Sequence, residues 1–192
     1  MVTGWRSSSL LVGGERIMSG ISQQNGPRDI GDILLRAPIR YPARFLASAI
    51  ATVALVAVFA ESVDGGAYLF LSAAILMLIV FINTSIVYVF SRTGHRLPVL
   101  FIATSGIFLL TGLVWSAGTS GPLAGQLALV LSGGVIASIS YLVMMVLASR
   151  AVVRSRPDKQ EMLDGVMIFF WVAFPAIGLF LLSREARERK IV

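Results

Sequence analysis

The side chains that could carry out chemistry in this sequence are few and far apart. The single histidine is His95, in the polar stretch RTGHR at 92–96, and the chain has no cysteine. A histidine-based metal cluster therefore cannot be built within one subunit. Thiolate chemistry and disulfides are absent for lack of cysteine. We predict no metal and no cofactor, and we interpret His95 as a solvated loop residue.

One serine lies in a sequence with a known catalytic counterpart. Ser120 belongs to the tetrapeptide GTSG at 118–121, which resembles the GxSG motif of rhomboid intramembrane proteases, where the serine is the nucleophile. A serine nucleophile needs a base within hydrogen-bond distance, and the resemblance implies a histidine downstream of it. No histidine follows Ser120. We therefore interpret Ser120 as a turn residue and predict no catalytic residue and no enzymatic activity.

The elements that must position any site are membrane helices. Of the 192 residues 56% are hydrophobic and 14% charged, whereas soluble domains contain about 45–50% apolar and about 25% charged residues. The charged residues are clustered, and the stretches between them are long enough to cross a bilayer as helices. We predict an all-α transmembrane helical bundle with about five spans, near residues 45–60, 66–91, 97–117, 122–149 and 165–183.

Two segments precede the bundle. Residues 1–27 are polar and are expected to be disordered. Within them, GGERIM ends at Met18, and its codons can resemble a bacterial ribosome-binding site; translation from Met18 and an ordinary polar tail both stay open. Residues 28–44 form a basic, amphipathic juxtamembrane segment.

The juxtamembrane segment contains Arg36, Arg40 and Arg44, which recur every four residues. Its apolar residues follow the helical period up to Pro38, which predicts a short interfacial helix lying on the membrane. The three arginines are candidates for contacts with anionic lipid headgroups. A solvated linker is the alternative that the sequence leaves open.

A polar patch interrupts the second apolar segment. Asn83, Thr84 and Ser85 lie well inside it, and buried polar side chains in membrane helices need hydrogen-bond partners. One interpretation is that they form hydrogen bonds to a neighbouring helix. The other is that they line a path for a small solute.

Small residues recur at multiples of four in the fourth apolar segment. This spacing lets helix backbones approach closely. The face could pack within the bundle of this chain, or against a partner or a second copy. The candidate packing residues are Gly121, Gly125, Gly133, Gly134, Ala137 and Ser138.

The short connections differ in charge, which predicts an orientation. The connections at 92–96 and 150–165 are basic, whereas those at 61–66 and 118–121 contain no lysine or arginine. Because basic loops stay in the cytoplasm, we predict a cytoplasmic N-terminus.

The C-terminal tail, residues 184–192, conflicts with this rule. Five full crossings place its four basic residues outside, and that is the topology we predict from the fully apolar segment 165–183. The alternative is that Pro175 bends this segment into a re-entrant one, which returns the tail to the cytoplasm.

The net charge of +6 is expected to serve membrane orientation and headgroup contacts, with no nucleic-acid partner. We predict a multi-pass protein of a bacterial or archaeal inner membrane. Its leading function is a non-enzymatic subunit or assembly factor that packs against other membrane proteins or itself. The alternative is a small-solute transporter or channel component that uses the patch around Asn83.

Overall fold

A computed structural model of the chain describes residues 30–61, 67–91, 97–120, 126–155 and 162–192. Helices make up nearly all of these residues, and none of them lies in a strand. The helices are α1 (Ile30–Arg40), α2 (Pro42–Glu61), α3 (Ala67–Phe90), α4 (Val99–Ser120), α5 (Leu127–Arg154), α6 (Met162–Ala173) and α7 (Pro175–Glu188).

The predicted all-α membrane bundle is confirmed, and α2–α5 are each long and apolar enough to cross a membrane. Their ends differ from those of the predicted segments by one to five residues, and two of these differences have a physical reason. The first segment begins at Pro42, because proline suits the first position of a helix. The fourth is shifted towards the C-terminus and ends at Arg154, where basic side chains interact favourably with the helix dipole.

Helices α3, α4 and α5 pack as antiparallel neighbours. The hydroxyls of Ser72 in α3 and Ser116 in α4 are hydrogen-bonded. Further along, the rings of Phe108 in α4 and Tyr141 in α5 stack with centroids 5.5 Å apart. Helix α2 lies beside α3, and α6 lies beside α5.

The fifth predicted segment is not one helix. It is broken at Phe174, whose φ of −112° and ψ of 77° are not helical, and α7 begins at the next residue, Pro175. Proline has no N–H to donate to the carbonyl four residues earlier, which is that of Trp171. That carbonyl lies against Gly178, where an added Cβ would overlap it.

Helices α6 and α7 form a hairpin. They contain 12 and 14 residues, so they are only about 18 and 21 Å long, short of a hydrocarbon core of about 30 Å. The Arg189 guanidinium donates a hydrogen bond of 2.8 Å to the hydroxyl of Ser155, the residue that directly follows α5. If α7 continued in the direction of α6, these two residues would be too far apart to touch.

The C-terminal tail lies at the end of the bundle where α2 begins. The Arg187 guanidinium donates to the Arg40 carbonyl at 3.1 Å, and that of Arg36 donates to the Ile191 carbonyl at 3.3 Å. Five full crossings would have placed the tail at the opposite end of the bundle from Arg40, whereas the structure places both at the same end. The break at Pro175 is the reason, since it turns the chain back.

The compact unit of residues 34–192 has two halves. The tail-side half contains the end of α5 and the α6–α7 hairpin, and the far half contains the beginning of α5. Large buried side chains concentrate in the tail-side half, whereas the buried residues of the far half are mostly small. The largest in the tail-side half include Phe90, Phe101, Met144, Ile168, Leu179 and Leu182.

Helix α1 continues through Pro38 to Arg40, so the prediction that Pro38 ends it was wrong. Pro38 lies in the last turn of α1, where its missing N–H removes one hydrogen bond within the helix, the one to the Leu34 carbonyl, and only two helical residues follow it. Ile30, Ile33 and Leu34 are exposed, as the apolar face of a helix lying on a membrane surface must be.

Candidate functional site

The far half carries an apolar groove. Its volume is about 630 Å³, and α3, α4 and α5 line it. Trp115, about half exposed, stands on one wall, and Leu131 and Val135 stand on the other. We call this concavity the apolar groove. In shape it can accept the acyl chain of a lipid or bulky side chains of another helix.

Gly133 and Ala137 lie at the interface of α5 with α4. Both are buried, and a Cβ added to Gly133 would stand 3.3 Å from the Thr111 carbonyl oxygen and 3.5 Å from the Trp115 nitrogen. The two backbones therefore approach closely here, within this chain. Gly121 and Gly125, which belong to the same predicted face, lie outside the described residues.

Gly134 and Ser138 line the apolar groove. A Cβ at Gly134 would stand 2.9 Å from Cδ1 of the Trp115 ring, so glycine lets that ring approach α5 closely. The Ser138 hydroxyl donates to the Gly134 carbonyl at 2.8 Å. Because its polar group is already satisfied, Ser138 presents a small and nearly apolar surface.

The polar patch forms its hydrogen bonds within α3. Asn83 Nδ2, Thr84 Oγ1 and Ser85 Oγ donate to the carbonyls four residues earlier, at 2.9, 2.7 and 3.0 Å. None of these three bonds joins two helices. The hydrogen bond that does join α3 to α4, between Ser72 and Ser116, was not predicted, because single serines are common in membrane helices.

Asn83 is nevertheless unusual. It is only 3% exposed, and among the described residues nothing donates a hydrogen bond to its Oδ1 atom. A buried unsatisfied acceptor costs about 1–3 kcal/mol. Asn83 lines neither the apolar groove nor the cleft described next.

A second concavity lies at the tail-side end, between the beginning of α2 and the end of α7. It has a volume of about 550 Å³, and we call it the basic cleft. Arg44, Arg184 and Arg187 line it together with Glu188. Of the arginines predicted to meet lipid headgroups, only Arg44 lines the basic cleft.

The aromatic ring of Tyr41 holds two of those predicted arginines. The guanidinium carbon of Arg40 lies 5.5 Å from the ring centroid, and that of Arg44 lies 5.7 Å from it. Cation–π contacts at such distances orient the guanidinium groups. The third, Arg36, bonds to the tail through the Ile191 carbonyl.

The tail residues of the basic cleft were missed as site residues, because the predicted topology placed them across the membrane from Arg44. Local geometry fixes their position. Lys190 adopts a left-handed φ of 55°, and the Ile191 and Lys190 N–H groups donate to the Ala186 and Arg187 carbonyls at 2.9 and 3.0 Å. This pair of bonds closes α7 as a Schellman motif and directs the tail towards Arg36.

Two residues were considered for catalysis, and the structure describes only one of them. His95 lies outside the described residues, and Ser120 ends α4. Within the described ranges, no three His, Cys, Asp or Glu side chains are grouped so that they could hold a metal ion. No known protein family, curated protein or solved structure matches this sequence.

Proposed function

We propose that this integral membrane protein is a non-enzymatic subunit or assembly factor that packs against another membrane protein through the apolar groove. The observation that carries the proposal is a concave, apolar surface with small residues at its base, Gly134 and Ser138, four positions apart. Small residues at this interval let a second helix approach closely in lipid.

The chemistry of the apolar groove fits a transmembrane helix as its occupant. Association in lipid depends on van der Waals packing, which a concave surface increases. Val135 is 59% exposed and Leu131 60% exposed beside the small residues, so bulky and small positions alternate. Large apolar side chains of a partner helix would fill the space above the small residues and pack against the bulky ones.

Transport of a small solute has weaker support. The candidate path was built on Asn83, which is buried in a core of apolar side chains and lines neither cavity. Hydroxyls of α4 give no further support for a path, because those of Thr104, Ser105 and Thr111 donate to carbonyls of their own helix.

We also propose four crossings and a re-entrant hairpin in a bacterial or archaeal inner membrane, with both the start of α2 and the tail in the cytoplasm. All Lys and Arg residues in the described part of the chain lie at the tail-side end, which is the arrangement that the positive-inside rule favours. They are Arg36, Arg40, Arg44, Arg150, Arg154, Arg184, Arg187, Arg189 and Lys190.

Site-specific photocrosslinking in the native membrane tests the partner proposal. Benzoylphenylalanine replaces Val135 in the apolar groove and, as a control, Ile102, which is exposed on α4 but does not line the groove. We expect one protein adduct of defined mass from position 135, identified by mass spectrometry, and none from position 102.

A matched pair of serine variants sharpens the test. Ser138→Leu fills the base of the apolar groove, whereas Ser132→Leu makes the same change on α5 outside it. Both serines are exposed, and both hydroxyls bond within α5. We expect Ser138→Leu alone to abolish the adduct. Equal adducts from positions 135 and 102, or lipid adducts alone, would contradict the proposal.

A further inference from the structure

The basic cleft is formed by two helices that are remote in sequence. Arg44 comes from the first turns of α2, and Arg184 and Arg187 come from the last turns of α7. The α6–α7 hairpin brings them together, since it returns the tail to the end of the bundle where α2 begins. A convergence of this kind concentrates positive charge at one point of the membrane surface.

The basic cleft has an excess of positive charge. Three guanidinium groups line it with a single carboxylate, that of Glu188. The Nε atom of Arg184 lies 2.9 Å from Glu188 Oε1, but these side chains are 80% and 63% exposed, and ion pairs so exposed are weak. The guanidinium of Arg184 is therefore available to an anion that offers better geometry.

The other two arginines keep donors for a ligand. Arg187 uses Nη2 to reach the Arg40 carbonyl, and a guanidinium has five N–H donors in total. Arg44 faces the ring of Tyr41, with Arg40 close to the same ring. Two cations at one ring repel each other, and a bound anion would relieve that repulsion.

Apart from Ser183, the remaining wall of the basic cleft is mostly apolar. Phe180 lies one helical turn before Arg184 on α7, it is 48% exposed, and Pro42 lies opposite on α2. Because Phe180 belongs to the apolar part of the hairpin, the cleft has a charged rim and an apolar base. Such a site matches an amphiphile whose anionic group meets the rim and whose chain follows the base.

We propose that the basic cleft binds the headgroup of an anionic phospholipid, with the phosphate between Arg44 and Arg184 and an acyl chain along Phe180. This inference does not depend on the proposed partner at the apolar groove, because the two sites share no lining residue. Arginine binds phosphate well because its planar guanidinium can donate to two phosphate oxygens at once.

Native mass spectrometry of the full chain, released from nanodiscs of equal parts phosphatidylglycerol and phosphatidylcholine, measures the retained lipid. We expect one phosphatidylglycerol to be retained in preference to phosphatidylcholine. Arg44→Gln and Arg184→Gln should each lower its retention on the order of fivefold. The control is Arg154→Gln, which removes an exposed arginine at the same end that does not line the cleft.

Three results would overturn the inference. The first is equal retention of the two lipids by the unmodified protein, and the second is a loss in Arg154→Gln as large as in Arg184→Gln. The third is displacement of phosphatidylglycerol by millimolar inorganic phosphate, which would mean a soluble anion site. Circular dichroism of each variant, with an unchanged helical signal, establishes that lost retention is not lost folding.

Discussion

The two halves of the 34–192 unit are held together by different kinds of packing. In the tail-side half, α3, α4, α5 and the hairpin enclose large side chains such as Phe90 and Leu179, which are almost wholly buried. In the far half the hairpin is absent, and α4 meets α5 through Gly118 and Gly133. Close backbone approach there replaces a core of large side chains.

The difference follows from the length of the hairpin. Helices of about 18–21 Å reach little more than halfway across a hydrocarbon core of about 30 Å. They thicken the tail-side half and leave the far half with four helices. The apolar groove lies in this far half, on α3, α4 and α5, and no residue of the hairpin lines it.

Cysteine labelling gives the largest expected contrast between the two ends, because the chain contains no cysteine. With the proposed topology, Val192→Cys reacts with a membrane-impermeant maleimide only after the cells are permeabilised. Thr119→Cys, at the far-half end of α4, reacts in intact cells. The reason is that Arg187 and Arg36 hold the tail beside the beginning of α2.

Labelling of both positions in intact cells would contradict the re-entrant hairpin and restore five crossings. Labelling of neither before permeabilisation would mean that the far-half end of α4 does not reach the outer surface. Both variants are read by the same gel shift, and total cysteine after detergent lysis normalises them.

The next largest effect is expected within the hairpin itself. In Gly178→Ala the new Cβ would overlap the Trp171 carbonyl, a backbone group that cannot rotate away. We expect a loss on the order of 3 kcal/mol in the free energy of unfolding, measured by denaturing-detergent titration. Gly165→Ala in α6 is the control, because nothing lies within 4 Å of its added Cβ. Equal stabilities of the two variants would contradict the close contact between Gly178 and the Trp171 carbonyl.

Hydropathy was sufficient to predict the helical membrane fold, because apolar stretches of that length have almost no alternative in lipid. It was insufficient for the hairpin. Residues 165–183 are as apolar as a full span, and only Pro175 indicated a break. Proline within a helix can either kink it or break it, and the sharp turn of this chain brings Gly178 against the Trp171 carbonyl, a contact that hydropathy does not reveal.

The candidate sites were predictable to different degrees. Gly134 and Ser138 could be found because their spacing alone indicates a face. Arg184 and Arg187 could not be joined to Arg44, since the pairing of α2 with α7 is a tertiary contact between segments about 140 residues apart. The hydrogen-bond partner of Asn83 could not be predicted either, because an amide in a helix can bond to the backbone of its own helix or to a neighbouring helix.

A moderate effect is expected where α4 meets α5. In Gly133→Ala the new Cβ would stand 3.3 Å from the Thr111 carbonyl oxygen. If α4 and α5 move apart by a few tenths of an ångström, this tight contact is relieved. The gain in helix propensity offsets part of the cost, and we expect a net loss of about 1 kcal/mol. The control Gly106→Ala has open space around its Cβ and should be neutral or slightly stabilising. A stabilised Gly133→Ala would contradict close packing in the far half.

The smallest effect is expected at Asn83, near the boundary between the two kinds of packing. Asn83→Leu removes an Oδ1 atom that no described residue satisfies and replaces the amide with an apolar group of similar size. The bond from Nδ2 to the Ile79 carbonyl is lost, but that carbonyl also accepts the backbone N–H of residue 83 in the regular helix. We therefore expect Asn83→Leu to raise the free energy of unfolding by up to about 1 kcal/mol.

Asn83→Ala serves as the control, since it removes the same acceptor but leaves a cavity and should destabilise. A clear loss of stability in Asn83→Leu would show that Oδ1 has a partner of its own, either a bound water or a group in the chain beyond the described ranges.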